Sequence, residues 1–543
     1  MLVAAQHGAI ATSQQLASAV GRDLLQRGGS AVDAAIGANA LLSLIEPFMC
    51  GPGGDLFALV WDPASRALHG LNASGRAPAG QTLAQLQARL GGARTIPIHG
   101  PHSVTVPGAV RGWQALHARF GRLSLGEIFA PVIEHAARGV TLGPVTATWW
   151  QLSAAQVLAA QHLGAHARGF KQTFLLRQGA PHAGDTFRNP ALGHLYQVLA
   201  ARGFDEFYHG AIAAELAAYL AASGSAITAA DLARSAAEWV TPITTRYRDH
   251  DVYELPPNGQ GLAVLQMLNL LERFPLGDYG LDRAEYRHWF IEAKKLAFED
   301  RARYYADPAF NTIPIAALAA KAYAAERAAL IGPRANPRPL HGDPAIAHGD
   351  TTYLAVADAD GMMVSLIQSV FQGFGAGLVP PTLGFPLQCR GAGFALSADH
   401  PNGYAPGKRP FHTIIPAFVM QGGEPLMAFG VMGGDVQPQG QVQVLINQID
   451  FGLDPYAAGA APRLRHDGNN HPHLAAVADA GVVVYEAGCS ADLLAALRAR
   501  GHTLERASHP VLHFMGGYQC VRRTATGYVA ASEPRFDGCA LGY

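Results

Sequence analysis

Residues 331–350 read IGPRANPRPLHGDPAIAHGD and residues 351–370 read TTYLAVADADGMMVSLIQSV, and the junction between them decides the fold. The first stretch carries four prolines and neither a helical nor a strand period, which predicts an exposed connector. The second alternates as a hairpin does about a turn at 358–361. Thr351 therefore stands first in a strand, directly after a segment open to cleavage. A threonine so placed can use its own α-amine as a base only once the preceding peptide bond is broken. The expected maturation is attack by the Thr351 hydroxyl on the Asp350 carbonyl, an N-to-O shift to an ester, and hydrolysis of that ester. The pieces would be 1–350, helix-rich, and 351–543, sheet-rich, together one catalytic unit.

A Thr-Thr pair entering a strand is by itself ordinary β-branched propensity, so the surroundings must carry the argument. In FGVMGGD (429–435) a strand ends at Gly433-Gly434, a tight turn whose adjacent N–H groups can face a developing oxyanion. Such a donor is worth roughly 3 kcal/mol in hydrolases. Further strand-like runs follow the junction at 414–420, 426–432 and 481–487. Before it, residues 13–46 read as two helices parted by Gly28-Gly29, with Asp33 opening an Ala-rich and therefore buried second helix. A glycine turn at 50–55 leads into a hairpin of buried strands, and residues 83–326 read as mostly helical.

The bulk properties fit an enzyme. The 543 residues are 49% apolar and 15% charged, with 40 Lys plus Arg against 41 Asp plus Glu, so no long-range field favours nucleic acid or an anionic membrane. Five scattered cysteines with no CxxC pair suggest neither a disulfide framework nor a zinc site, and fit a reducing, cytoplasmic setting. The first residues show no signal peptide, and no run reaches the roughly 18 apolar residues of a membrane span. His466-Asp467 and the His471, His473 pair lack further ligands at metal spacing and read as surface histidines. GPGGD (51–55) lacks a phosphate-loop pattern and reads as backbone packing near the active site, while the charged run at 292–305 reads as a solvated face.

With these residues in place the chain resembles the γ-glutamyltransferase family, the glutathione hydrolases. The resemblance rests on eight ordered stretches: GGSAVDAAIGANALLSLIEP (28–47), GPGGDLF (51–57), SVTVPGAVRGW (103–113), PPNGQG (256–261), EAKKLAFEDRARYYADP (292–308), GDTTYLAVADADG (349–361), PGKRPFHTIIP (406–416) and VMGGDVQPQGQVQ (431–443). It implies an α+β fold of four αββα layers, the N-terminal-nucleophile hydrolase architecture. It also implies a proenzyme whose large and small subunits stay together as a heterodimer, with no metal or organic cofactor. Thr351 falls on the family's nucleophile, Ser369 on a second hydroxyl that hydrogen-bonds it, and Gly433 with Gly434 on its oxyanion hole. The implied reaction is amide cleavage through an acyl-enzyme, released by water or an acceptor amine.

The substrate pocket departs from the family. Where transpeptidases have a carboxylate-binding arginine the chain has Ser74, and Arg76 stands two residues on. Phe371 replaces an asparagine, Arg390 a glutamine, Gly393 the aspartate that meets the substrate ammonium, and His412 with Thr413 a pair of serines. An α-ammonium buried without a counter-charge costs several kcal/mol, so glutathione is disfavoured. Arg390 offers a planar cation to a carboxylate and Phe371 narrows the pocket, so a small carboxylate amide such as oxamate is expected. Oxamate amidohydrolases and glutaryl-type acylases are superfamily members with such changes. The alternatives are a glutathione hydrolase or transpeptidase with a rebuilt pocket, a glutaryl-type acylase, and a dormant binding scaffold.

Overall fold

A computed structural model describes residues 2–336, 340–341, 350–468, 476–477, 481–508 and 514–543. Two seven-stranded antiparallel sheets face each other, with helices on both outer faces, which gives the expected four αββα layers. The first sheet runs, in spatial order, Cys539–Gly542, Ala9–Thr12, Asp350–Ala357, Met363–Phe371, Asp55–Asp62, Ala67–Ala73, Glu238–Val240. The second runs Leu2–Ala5, Gly527–Ser532, Gly517–Thr524, Glu424–Met432, Ala417–Gln421, His250–Glu254, Ile243–Tyr247. Each sheet therefore takes strands from both sides of position 350. Most of the connector before Thr351 lies outside the described residues.

Helix Ala31–Ile45 shows how the outer layer is fixed. Ser30 accepts from the Asp33 N–H while the Asp33 carboxylate accepts from the Ser30 N–H, a reciprocal cap that starts the helix at Ala31, two residues before the position read from the sequence. All fifteen residues are buried, as the small side chains predict. This helix packs on the first sheet together with Gln15–Gln26 and Ala109–Phe120. Helices Gly261–Leu271 and Val436–Ile449 cover the second sheet, and Ala284–Tyr304 packs outside the former.

Between the sheets, the Tyr353 hydroxyl meets Ser365 Oγ at 2.8 Å, and Ser365 donates across the sandwich to the Phe429 carbonyl at 3.3 Å. A Cβ at Gly430 would lie 2.4 Å from the Tyr353 ring, so only glycine lets the sheets approach this closely. No helix among the described residues is long and apolar enough to cross a membrane.

The charged run at 292–305 corrects the sequence reading, because in helix Ala284–Tyr304 it is largely buried. Lys295 pairs with Glu292 at 2.8 Å, Lys294 Nζ meets His466 Nδ1 at 3.1 Å, and Arg301 pairs with Asp435 at 2.7 Å. Buried charge is tolerated only where such partners meet it, and two of them, His466 and Asp435, lie far away in sequence. His466 is likewise buried, contrary to its reading as a surface residue. His471 and His473 lie outside the described residues.

Candidate functional site

Thr351 sits where the pairing of two central strands slips. Asp350 faces Phe371 and Thr352 faces Gln368, so Thr351 alone opposes Ser369 and Val370 in a bulge. Bulges re-aim side chains, and here the Thr351 hydroxyl turns to Ser369, donating to its Oγ at 3.3 Å. Gln437 Nε2, on the first turn of helix Val436–Ile449, reaches Thr351 Oγ1 at 3.5 Å. Thr351 is buried.

Ser369 Oγ is a meeting point. It also accepts the Phe371 N–H at 2.8 Å and Arg390 Nη2 at 3.2 Å. Arg390 is buried, not a solvent-facing loop residue; its Nη1 donates to Thr413 Oγ1 at 2.8 Å and its guanidinium lies 4.0 Å over the Phe371 ring. Phe371 holds φ +83°, a region that strains a bulky residue and recurs at functional sites. Burial pushes the Arg390 guanidinium down to about 10, against the pull of Asp55, so it stays cationic at neutral pH. Its Nε makes no hydrogen bond among the described residues.

Gly433 and Gly434 end the strand Glu424–Met432 with φ +129° and +59°. A Cβ at Gly433 would press to 2.5 Å from the Phe514 ring, so both conformation and space demand glycine. The loop at 51–55 packs directly behind Ser369: the Gly53 carbonyl accepts the Gln388 N–H at 3.0 Å, two residues before Arg390. This agrees with the sequence reading of GPGGD.

Two expected pocket residues are otherwise engaged. His412 Nδ1 accepts the Ile414 N–H at 3.3 Å, which leaves Nε2–H to donate to Asp55 Oδ2 at 3.1 Å. Burial, with Arg390 and Arg409 nearby, keeps this imidazole neutral, and it braces Asp55. Arg76 turns outward, its Nη2 on Glu238 at 2.8 Å and its Nη1 on the Gly407 carbonyl at 3.1 Å. Arg76 stands two residues after Ser74, whose Oγ donates to Asn72 Oδ1 at 2.7 Å.

One ionisable group escaped the sequence reading. Glu46, just past helix Ala31–Ile45, accepts from Gln14 Nε2 at 2.6 Å, Ser13 Oγ at 2.8 Å and Thr352 Oγ1 at 3.3 Å. Burial pushes its carboxyl up to about 7, against those three bonds. Unfolded, the group loses its proton near 4.5; folded, it keeps it to about 7. Its contribution is therefore intact below pH 4.5 and falls as pH rises toward 7, at about 1.4 kcal/mol per unit. Glu46→Gln, which mimics the neutral form, is expected to flatten the fall in thermal midpoint across this window. Asp55, raised to about 7 by burial, keeps some slope in place. Equal slopes in the two proteins would refute the assignment.

Among the described residues, His288, Glu292 and His502 bring three ligand atoms within 4.8 Å of one another. The Lys295 ammonium already neutralises that carboxylate at 2.8 Å, and the two rings bond each other at 2.8 Å. A divalent ion would have to displace both interactions, so the trio is better read as a closed polar cluster.

A family model described as Gamma-glutamyltranspeptidase matches residues 17–543. The chain is 33% identical to the glutathione hydrolase-like YwrD proenzyme of Bacillus subtilis (strain 168), over 98% of each chain. It is 34% identical to the oxamate amidohydrolase proenzyme of Klebsiella pneumoniae, over 99% of this chain and 98% of that one. Among solved structures, the cephalosporin acylase from Bacillus halodurans superimposes with a TM-score of 0.91 at 38% identity, covering 100% of this chain and 97% of that one.

Proposed function

This chain belongs to the gamma-glutamyltranspeptidase family and is an enzyme that hydrolyses C–N amide bonds; from that premise we propose that it cuts itself between Asp350 and Thr351 and then hydrolyses a small amide bearing a carboxylate beside the scissile carbonyl. The Thr351 hydroxyl attacks the Asp350 carbonyl carbon, the C–N bond breaks as its nitrogen takes the proton, and water hydrolyses the resulting ester. The freed α-amine then serves as base. Fragments 1–350 and 351–543 stay together because both sheets interleave strands from the two.

In turnover, Thr351 Oγ1 attacks the substrate carbonyl while the α-amine takes its proton. The tetrahedral oxyanion meets the N–H groups of Gly433 and Gly434, and the proton passes to the leaving amine. Ester hydrolysis releases the acid. For oxamate this yields ammonia and oxalate.

The observation that carries the substrate class is that Arg390 and Thr351 share one partner. Arg390 Nη2 lies 3.2 Å and Thr351 Oγ1 3.3 Å from Ser369 Oγ, so a carboxylate held by Arg390 sits next to the attacking oxygen. Few or no atoms fit between carboxylate and amide carbonyl. The Phe371 ring over the guanidinium closes the pocket further. Asp55, which borders Arg390, is committed to His412 and to the Gly75 N–H at 2.8 Å, which leaves it ill placed to receive an α-ammonium. The oxamate amidohydrolase relative supports this reading. Likeness to the cephalosporin acylase favours a second one, a longer dicarboxylic acyl amide.

The test is a turnover panel of oxamate, glutaryl amides and a γ-glutamyl anilide at matched concentrations. Oxamate is expected to lead by at least about tenfold, a difference of about 1.4 kcal/mol in transition-state binding. Rapid turnover of the anilide would overturn the pocket argument, and a lead for the glutaryl amides would move the enzyme to the acylase reading.

A further inference from the structure

The turn at Gly433-Gly434 and the segment carrying Thr413 belong to different elements, yet one buried side chain holds both. Gln260, just before helix Gly261–Leu271, donates Nε2 to the Thr413 carbonyl at 2.7 Å and to the Gly434 carbonyl at 2.9 Å. Its Oε1 accepts from Arg301 Nη1, which also meets Asp435 Oδ1 at 2.7 Å. A primary amide can flip and exchange donor for acceptor, but a guanidinium has no acceptor to offer. With Arg301 against Oε1, the Nε2 hydrogens can face only the two carbonyls. Arg301 is itself fixed, fully buried and 3.8 Å over the Phe298 ring.

Such holding matters because glycine backbone samples both signs of φ, and two adjacent glycines form the turn. The Gly433 carbonyl accepts the Val436 N–H at 3.2 Å and the Gly434 carbonyl the Gln437 N–H at 3.2 Å. Gln260 adds two bonds that reach from outside this segment of chain, one to Gly434 and one to Thr413. Thr413 in turn receives Arg390.

We propose that Arg301 and Gln260 are positioning residues that lock the Gly433-Gly434 amides in their oxyanion-binding orientation and tie that turn to the Arg390 side of the pocket. The assignment rests on reading those amides as the oxyanion donors. Neither residue touches substrate; they act through the two glycines and Thr413. A single oxyanion donor supplies roughly 10²–10³ in kcat, which tilting the turn would largely forfeit. Carboxylate binding in the ground state would change little, so the mark of the device is a fall in kcat without a matching rise in KM.

The experiment uses the full chain as wild type, Thr351→Ala, Gln260→Glu, Arg301→Met and the double variant Gln260→Glu/Arg301→Met, with the panel's best substrate. Gln260→Glu keeps the shape and the acceptor for Arg301 but has no hydrogens for the two carbonyls. It is expected to cleave itself completely, to keep its thermal midpoint within a few degrees, and to lose about 30- to 300-fold in kcat with KM within about threefold. Since both residues serve one device, the double variant should be little worse than the weaker single. Should Arg301→Met fail to fold, Gln260→Glu alone carries the test. A Gln260→Glu kcat within about threefold of wild type, or a loss seen in KM alone, overturns the proposal. Failure of the proposed threonine-nucleophile function looks different: Thr351→Ala would turn over as fast as wild type, whatever the Gln260 variant does.

Discussion

Thr351→Ala is expected to yield one uncut 543-residue chain with no measurable amidase activity, where the native protein gives two fragments beginning at Met1 and Thr351. One hydroxyl serves both events, so its removal blocks maturation and turnover together. Losing the nucleophile of a comparable hydrolase costs about 10⁶ in kcat, which puts any residual rate below detection. Thr351→Ser keeps the oxygen but lacks the methyl that restricts the side chain. It is expected to cleave itself more slowly and to retain part of the activity. Denatured mass against time reads the first effect, and turnover by the isolated fragments reads the second. Processing of Thr351→Ala at the same bond would place the nucleophile elsewhere; uncut native chain would favour a dormant scaffold.

Much of this arrangement is legible in the sequence because its parts are local. The strand that carries Thr351 and the Gly-Gly turn at 433–434 each announce themselves within about ten residues. The αββα class follows once they are matched to the family's ordered stretches. The strands Leu2–Ala5 and Ala9–Thr12 are not legible, since four residues are too few to establish a period. Strands Ile243–Tyr247 and His250–Glu254 were hidden in a region whose composition is otherwise helical.

The charge-rich helix Ala284–Tyr304 marks the deeper limit. Its Lys, Glu and Arg residues look solvated because sequence shows their number and spacing but not their partners. Arg301 finds Asp435 and Gln260, and Lys294 finds His466, across the second helical layer. Similarly, the bond between His412 and Asp55 spans more than 350 positions and leaves no local trace in the sequence. Glu46 gave no signal at all, because a carboxylate after a helix is ordinary until Ser13, Gln14 and Thr352 close around it. Folding juxtaposes such groups, and only juxtaposition reveals their chemistry.

Arg390→Met should remove the preference for a carboxylate while leaving self-cleavage intact. The buried guanidinium bridges Ser369 and Thr413 and is backed by the Phe371 ring, so a bound carboxylate would meet a desolvated, preorganised cation. Truncating one member of a buried charge pair costs about 2–5 kcal/mol, so kcat/KM for oxamate should fall by roughly 30- to 5,000-fold. Lysine is not an adequate replacement: it cannot span both hydroxyls in one plane or stack on the ring, so Arg390→Lys should recover little. The decisive quantity is a ratio. The native enzyme should favour oxamate over oxamide, its neutral diamide, by about 10²-fold, and Arg390→Met should bring the two within a few-fold of each other. Equal losses on both substrates would mean that Arg390 acts through Ser369 on the nucleophile and not on the carboxylate. Intact processing into two fragments in the same preparation excludes misfolding as the cause, because self-cleavage demands the native bulge at Thr351.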